Sequence, residues 1–114
     1  MRIAMAQINS AVGDLEGNIR RVKDAILEAA GREADLVAFP ELVVTGYPPQ
    51  DLLFDRAFVN RNRELVEELI GDNTVDIAGV IGFVDCLRRS LYNAAAVFHR
   101  SRLVAIVHKT LLPT

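Results

Sequence analysis

The sequence has little of what cross-linking, membrane insertion or nucleic-acid binding requires. It contains a single cysteine, Cys86, among 114 residues, which excludes an intrachain disulfide and favours a reducing, cytoplasmic location. Its uncharged apolar runs are far shorter than the roughly 20 residues that a membrane-spanning helix needs. The net charge is −2, and lysine and arginine are spread along the chain, so no basic patch indicates nucleic-acid binding. Residues 1–7 lack the long apolar region and cleavage site of a signal peptide, so none is expected.

The remaining composition is that of an ordinary globular protein. With 51% hydrophobic and 25% charged residues, a chain of this length forms one domain with a real core but not two. Three apolar, strand-like segments alternate with two segments whose apolar residues recur at helical spacing. The strands are predicted at residues 2–9, 35–40 and 75–84, and the helices at residues 19–30 and 58–70. The first strand is predicted to be buried on both faces.

Two further β-rich runs predict an antiparallel hairpin near the end of the sequence. Residues 93–99 and 103–108 are separated by the short polar segment Arg-Ser-Arg, which is typical of a tight turn. The alternation of strands and helices therefore predicts an α/β layer sandwich, with a mixed sheet and helices on one face. The other face of that sheet needs a cover from further chain or another subunit, so we expect a homo-oligomer.

Glu41 is the strongest candidate for a functional residue. It follows the apolar run at residues 36–39 and Pro40, which ends the strand because proline cannot donate a ladder hydrogen bond. Ligand sites in open α/β sheets gather at the carboxyl ends of strands. A carboxylate at this place requires a partner, and Lys109, near the end of the last strand, is the best candidate. Glu41 capping a turn and Lys109 as a solvated lysine are the simpler alternatives.

The other chemically reactive side chains are weaker candidates. Cys86 has two histidines elsewhere in the chain but lacks the tight small-residue turn of a nucleophile, so we predict a half-buried bystander. His99 and His108 have no metal-ligand spacing and are expected to be structural or exposed. Tyr47 is a candidate for lining a substrate pocket, with packing against the adjacent Pro48-Pro49 pair as the alternative.

Several motifs together resemble the nitrilase, or carbon–nitrogen hydrolase, superfamily. They are residues 39–42 (FPEL), the apolar hairpin, and residues 108–113 (HKTLLP). Residues 45–53 (TGYPPQDLL) are similar to the glutaminase domain of glutamine-dependent NAD synthetases. Residues 6–9 (AQIN) and 91–95 (LYNAA) fit the same pattern. The resemblance covers essentially the whole chain.

The resemblance implies a Glu–Lys–Cys triad on a nitrilase-like α-β-β-α sandwich. Glu41 matches the general base that takes the thiol proton and later protonates departing ammonia. Lys109 matches the cation that stabilises the tetrahedral oxyanion, an effect worth about 3–4 kcal/mol for one well-placed donor. Glutamine is the implied substrate, and its ammonia serves the ATP-dependent amidation of deamido-NAD. ATP and Mg belong to a separate domain, so no cofactor or metal is expected in this segment.

The sequence also departs from the family pattern. The family's nucleophilic cysteine follows the position of Lys109 on a further strand, and neither it nor the aromatic residue expected after the Leu-Pro pair occurs here. We therefore expect residues 1–114 to be the incomplete, N-terminal half of a glutaminase domain. This portion is expected to be inactive on its own. Two alternatives stay open: an aliphatic amidase or carbamoylase of the same superfamily, and a non-catalytic fragment that serves in folding or subunit interaction.

Overall fold

A computed structural model describes residues 1–113 of the chain. Within that range the secondary structure alternates strand and helix before ending in three consecutive strands. Neither α-helix has the length and apolar character that crossing a membrane requires. The elements are β1 (Ile3–Met5), α1 (Leu15–Gly31), β2 (Leu36–Ala38), a 3-10 helix (Gln50–Phe54), α2 (Arg56–Gly71), β3 (Ala78–Leu87), β4 (Ser90–His99) and β5 (Arg102–Leu111).

The strands form one mixed sheet in the order β1-β2-β3-β4-β5. The pairs β1–β2 and β2–β3 are parallel, and β3–β4 and β4–β5 are antiparallel. Both helical crossovers advance in the same direction along the sheet, and right-handed crossovers of that kind lie on one face. The helices and that face enclose the main core, which confirms the predicted mixed sheet with one helical layer. The buried residues of this core include Val22, Ile26, Val37, Leu65, Val66, Leu69, Ile81, Phe83, Ala94 and Phe98.

The opposite face of the sheet is largely open. Ile3 and Met5 on β1 are 54% and 77% exposed, so the prediction that the first strand is buried on both faces was wrong for this chain. Only Ala4 between them turns towards the core. β1 is also shorter than predicted, because its neighbour β2 ends at Ala38. Beyond β1, only the Ala6 N–H continues the pairing, with a hydrogen bond of 2.9 Å to the Ala38 carbonyl.

A second hairpin joins β3 to β4, and the sequence had not indicated it. Arg88 and Arg89 connect the strands in two residues with φ of 51° and 68°, the left-handed conformation of a type I′ turn. Arginine is an unusual residue for that conformation, so the turn carried no sequence signal. β3 consequently runs to Leu87 instead of ending at Val84. Cys86 lies on this extension and is exposed, which corrects its predicted half-buried position.

Candidate active site

The loop that carries Glu41 begins where β2 ends and β3 continues. The Phe39 N–H donates to the Val80 carbonyl at 3.1 Å, and the Val44 N–H donates to the Gly82 carbonyl at 3.3 Å. The segment between these two bonds passes directly over Gly82 of β3 and presents Glu41. A Cβ on Gly82 would lie 2.6 Å from the Leu42 nitrogen, so the loop can approach β3 this closely only because residue 82 is glycine.

The other side of this loop is held by a buried asparagine from α1. Asn18 is 0% exposed, and its Nδ2 donates to the carbonyls of Ala11 and Val44 at 2.8 and 2.9 Å. Its Oδ1 accepts from the Ala11 N–H at 2.9 Å. The helix itself is capped by Asp14, which accepts from the Gly17 N–H. Asp14 therefore caps α1, and Asn18 ties two loops together.

A second buried asparagine supports β3 beyond the end of β2. Asn62 of α2 is 0% exposed. Its Nδ2 donates to the Val84 carbonyl at 2.9 Å, and its Oδ1 accepts from the Val84 N–H at 3.0 Å. The side-chain amide thus pairs both backbone groups of Val84 as a neighbouring strand would. This keeps β3 extended at the level of the candidate site.

Lys109 reaches the site from a β-bulge in β5. Asn93 pairs with Thr110 and Ala94 pairs with His108, so Lys109 is the additional residue between them. Bulges redirect side chains and are frequent beside functional sites. The Lys109 ammonium donates a hydrogen bond to Oε1 of Glu41, across 68 residues of sequence. The structure therefore brings together the two residues that the sequence paired.

The pair is ionised and accessible to solvent. The side chains of Glu41 and Lys109 are 56% and 43% exposed. The Lys109 hydrogen bond and positive charge lower the pKa of Glu41 from its ordinary value of 4.5, and the Asn93 amide adds to the effect. A carboxylate beside an ammonium at an open surface can accept a proton from one reactant while the cation stabilises negative charge on another.

Asn93 also belongs to the site, although the sequence analysis assigned it no role. It lies on β4 between the strands that bring the other two groups, and it is 7% exposed. Its Oδ1 is buried and has no hydrogen-bond partner among residues 1–113. The available signal was a polar residue inside an otherwise apolar strand, since such a residue needs a partner.

The remaining candidates lie apart from the Glu41–Lys109 pair or make other contacts. Tyr47 is 72% exposed, so the adjacent prolines do not bury it. His99 pairs with Asp76 at an exposed hairpin end, 3.3 Å from Nε2 to Oδ1. His108 contacts Asp85 instead of the catalytic candidates. Within residues 1–113, no group of three or more His, Cys, Asp or Glu side chains is placed to hold a metal ion.

Comparison with known proteins agrees with the fold and with the sequence motifs. The carbon–nitrogen hydrolase family matches residues 2–114. The glutamine-dependent NAD(+) synthetase of Thermotoga maritima is 34% identical over 99% of this chain, and the match covers 20% of that protein. The structure of such a synthetase from Cytophaga hutchinsonii superposes with a TM-score of 0.91 and 26% identity, over 99% of this chain and 19% of that chain.

The structural similarity extends beyond the synthetases. An amidase from Nesterenkonia sp. has a TM-score of 0.80 over 100% of this chain and 44% of its own, at 23% identity, which shows a shared fold alone. The chain spans about one fifth of the length of the synthetases it matches. It resembles the N-terminal glutaminase portion of those proteins.

Proposed function

This chain belongs to the carbon–nitrogen hydrolase family, and we propose that residues 1–114 are the N-terminal portion of the glutaminase domain of a glutamine-dependent NAD synthetase. The observation that carries the proposal is the contact between Glu41 and Lys109. The similarity to several synthetases at 34–38% identity supports the choice of substrate class. Among the solved structures, the synthetases are 26–32% identical to this chain and the nitrilase-type amidases 22–23%.

Glu41 acts as the general base in this proposal. An ionised carboxylate can take the proton of an attacking thiol and later deliver a proton to the departing ammonia. The lowered pKa of Glu41 keeps it in the proton-accepting form at neutral pH. The exposed position of the pair leaves room for the reacting groups, which come from substrate and from sequence outside this chain.

Lys109 supplies fixed positive charge. When a thiolate attacks the glutamine carboxamide, the carbonyl oxygen becomes an oxyanion, and a preorganised cation stabilises it. The same ammonium orients the Glu41 carboxylate through their hydrogen bond. Tyr47, on the loop after Glu41 and 72% exposed, is the proposed contact for bound glutamine.

In this proposal, the nucleophile and the amidation of deamido-NAD belong to other parts of the enzyme. The nucleophilic cysteine follows Lys109 on a strand outside this chain, so residues 1–114 alone do not hydrolyse glutamine. Amidation of deamido-NAD with ATP and Mg takes place on a separate domain in a cytoplasmic enzyme, and no cofactor binds to these residues. Further chain or a second subunit covers the open face of the sheet.

Ammonia release from glutamine tests the proposal. We expect no release by the 114-residue chain, and release by a longer polypeptide that continues through the glutaminase and synthetase domains. Release by the short chain would overturn the assignment of the nucleophile and make Cys86 the candidate. In the longer polypeptide, Glu41→Gln should abolish glutamine-dependent NAD formation but keep formation supported by free ammonia.

Two outcomes of that comparison would contradict the assignment. Near-normal glutamine turnover in Glu41→Gln would refute its role as the base. Hydrolysis of simple aliphatic amides in preference to glutamine, without NAD formation from ammonia, would favour an amidase of the same family.

A further inference from the structure

A polar cluster lies on the helical face of the sheet, behind the bulge that carries Lys109. It consists of Asp85 on β3, Tyr92 on β4, His108 on β5 and Arg63 on α2. Asp85 and Tyr92 are register partners, and the contact with Arg63 of α2 places Asp85 on the helical side. The roles proposed above for Glu41 and Lys109 use none of these side chains.

His108 is held by two contacts of different kinds. Its Nε2 lies 2.7 Å from Oδ2 of Asp85 and donates a hydrogen bond to that carboxylate. Its ring stacks on Tyr92 with 4.2 Å between centroids and 5° between planes. Stacking fixes the ring plane and the hydrogen bond fixes the rotation within that plane, so the orientation of His108 is defined.

Asp85 is itself anchored. Its side chain is only 8% exposed, and its second oxygen accepts a hydrogen bond from the Arg63 guanidinium. A buried carboxylate with a hydrogen-bond donor on each oxygen cannot rotate without leaving one of those donors unpaired. The cluster thus joins α2, β3, β4 and β5 at one level of the sheet.

The cluster lies at the point where β5 is irregular. His108 is the last residue in regular register before the additional residue, Lys109, and pairing resumes at Thr110. A strand has a side-chain period of two, so an additional residue at position 108 instead of 109 would pair Lys109 with Ala94 and turn it to the helical face. The bulge therefore has to be held at this residue for Lys109 to meet Glu41.

We propose that the contacts of His108 with Asp85 and Tyr92 fix the β5 bulge and so position Lys109 against Glu41 on the opposite face of the sheet. His108 is a positioning residue in this inference, which rests on the proposed role of the Glu41–Lys109 pair. The cluster acts on the reaction only through the direction of the lysine side chain.

The pKa of Glu41, measured by carboxyl NMR titration of the chain, tests the inference without any need for turnover. Lys109→Met gives the reference, since it removes the cation that lowers this pKa. If His108 positions the lysine, His108→Ala raises the pKa of Glu41 most of the way to that reference. A merely stabilising histidine would leave the titration of Glu41 unchanged.

The chain contains a matched control in its other histidine–aspartate pair. His99 contacts Asp76 at 3.3 Å, away from the bulge, so His99→Ala should leave the Glu41 titration as in the parent chain. If His108→Ala does not fold, Tyr92→Leu removes the ring stack and is expected to raise the same pKa.

Each outcome identifies which statement fails. An unchanged Glu41 pKa in folded His108→Ala, or in Tyr92→Leu where that variant replaces it, would overturn the positioning role while leaving the pair intact. An unchanged pKa in Lys109→Met would overturn the pair itself, and both proposals with it. An equal rise in His99→Ala would show a general loss of structure and contradict the inference.

Discussion

Replacement of Asn62 by alanine is the sharpest test of how the site is supported. Asn62 is buried in α2, and its amide pairs with both the N–H and the carbonyl of Val84. Those two groups lie on β3 beyond the reach of β2, whose pairing with β3 ends at Val80. No other strand lies on that edge within the described residues to replace the asparagine.

The expected cost follows from the groups left unpaired. Each buried backbone group that loses its partner costs about 1–3 kcal/mol, so the two groups of Val84 together give about 2–6 kcal/mol. Alanine is the better helix former by about 0.5 kcal/mol, which offsets a small part of that loss. Since native domains have only about 5–15 kcal/mol of stability, Asn62→Ala should be severely destabilising.

Asn60→Ala is the matched control, because Asn60 lies in the same helix and is exposed. It carries the same gain in helix propensity but breaks no bond to β3. Urea denaturation followed by circular dichroism gives the free energy of unfolding of both variants. We expect Asn62→Ala to be less stable than Asn60→Ala by about 2–6 kcal/mol. Equal stability of the two variants would refute the account of Asn62 as a substitute strand.

Three further predictions concern the loop, the ion pair and the unrecognised hairpin. Gly82→Ala places a Cβ 2.6 Å from the Leu42 nitrogen and should lower the free energy of unfolding in urea by about 1–3 kcal/mol. Lys109→Met should cost less than about 1 kcal/mol in the same assay, since the pair is half exposed. This cost is present above pH 4.5 and disappears as the pH falls through the lowered pKa of Glu41. The double substitution R88N/R89G should raise the midpoint of thermal unfolding, because both positions have positive φ and asparagine and glycine tolerate it.

Gly71→Ala is the control for Gly82, because a Cβ there meets nothing within 4 Å, and equal effects would contradict the close approach of the loop. A Lys109→Met effect that persists at acidic pH would show a cause other than the ion pair. Unchanged or reduced thermal stability in R88N/R89G would show that the turn is not strained by its arginines.

The sequence predicted the elements that depend on local pattern and the one contact that depends on chemistry. Helical periodicity located α1 and α2, and the requirement that Glu41 have a partner led to Lys109. The lengths of β1 and β2 could not be predicted from the sequence. Backbone pairing between these strands stops at the end of β2, whereas the apolar runs in the sequence continue further. The β3–β4 hairpin was missed because Arg88 and Arg89 are not typical turn residues.

The buried asparagines mark a different limit of sequence reasoning. Asn62 falls on the apolar face of its helix in the sequence pattern, and Asn18 lies in the first turn of α1. Their partners are backbone groups 22 and 26 residues away, and no local pattern encodes such pairs. The bulge at Lys109 depends likewise on the register between β4 and β5. The direction of the lysine therefore required the structure.

The most direct test of the central claim is a kinetic double-mutant cycle in a longer polypeptide that releases ammonia from glutamine. The variants are Glu41→Gln, Lys109→Met and the combination of both. If the two side chains act as one unit, each single change lowers kcat/KM by roughly 10²–10⁴-fold, and the double variant loses little more than either single variant. Losses that multiply in the double variant, or near-normal turnover in either single variant, would contradict the claim.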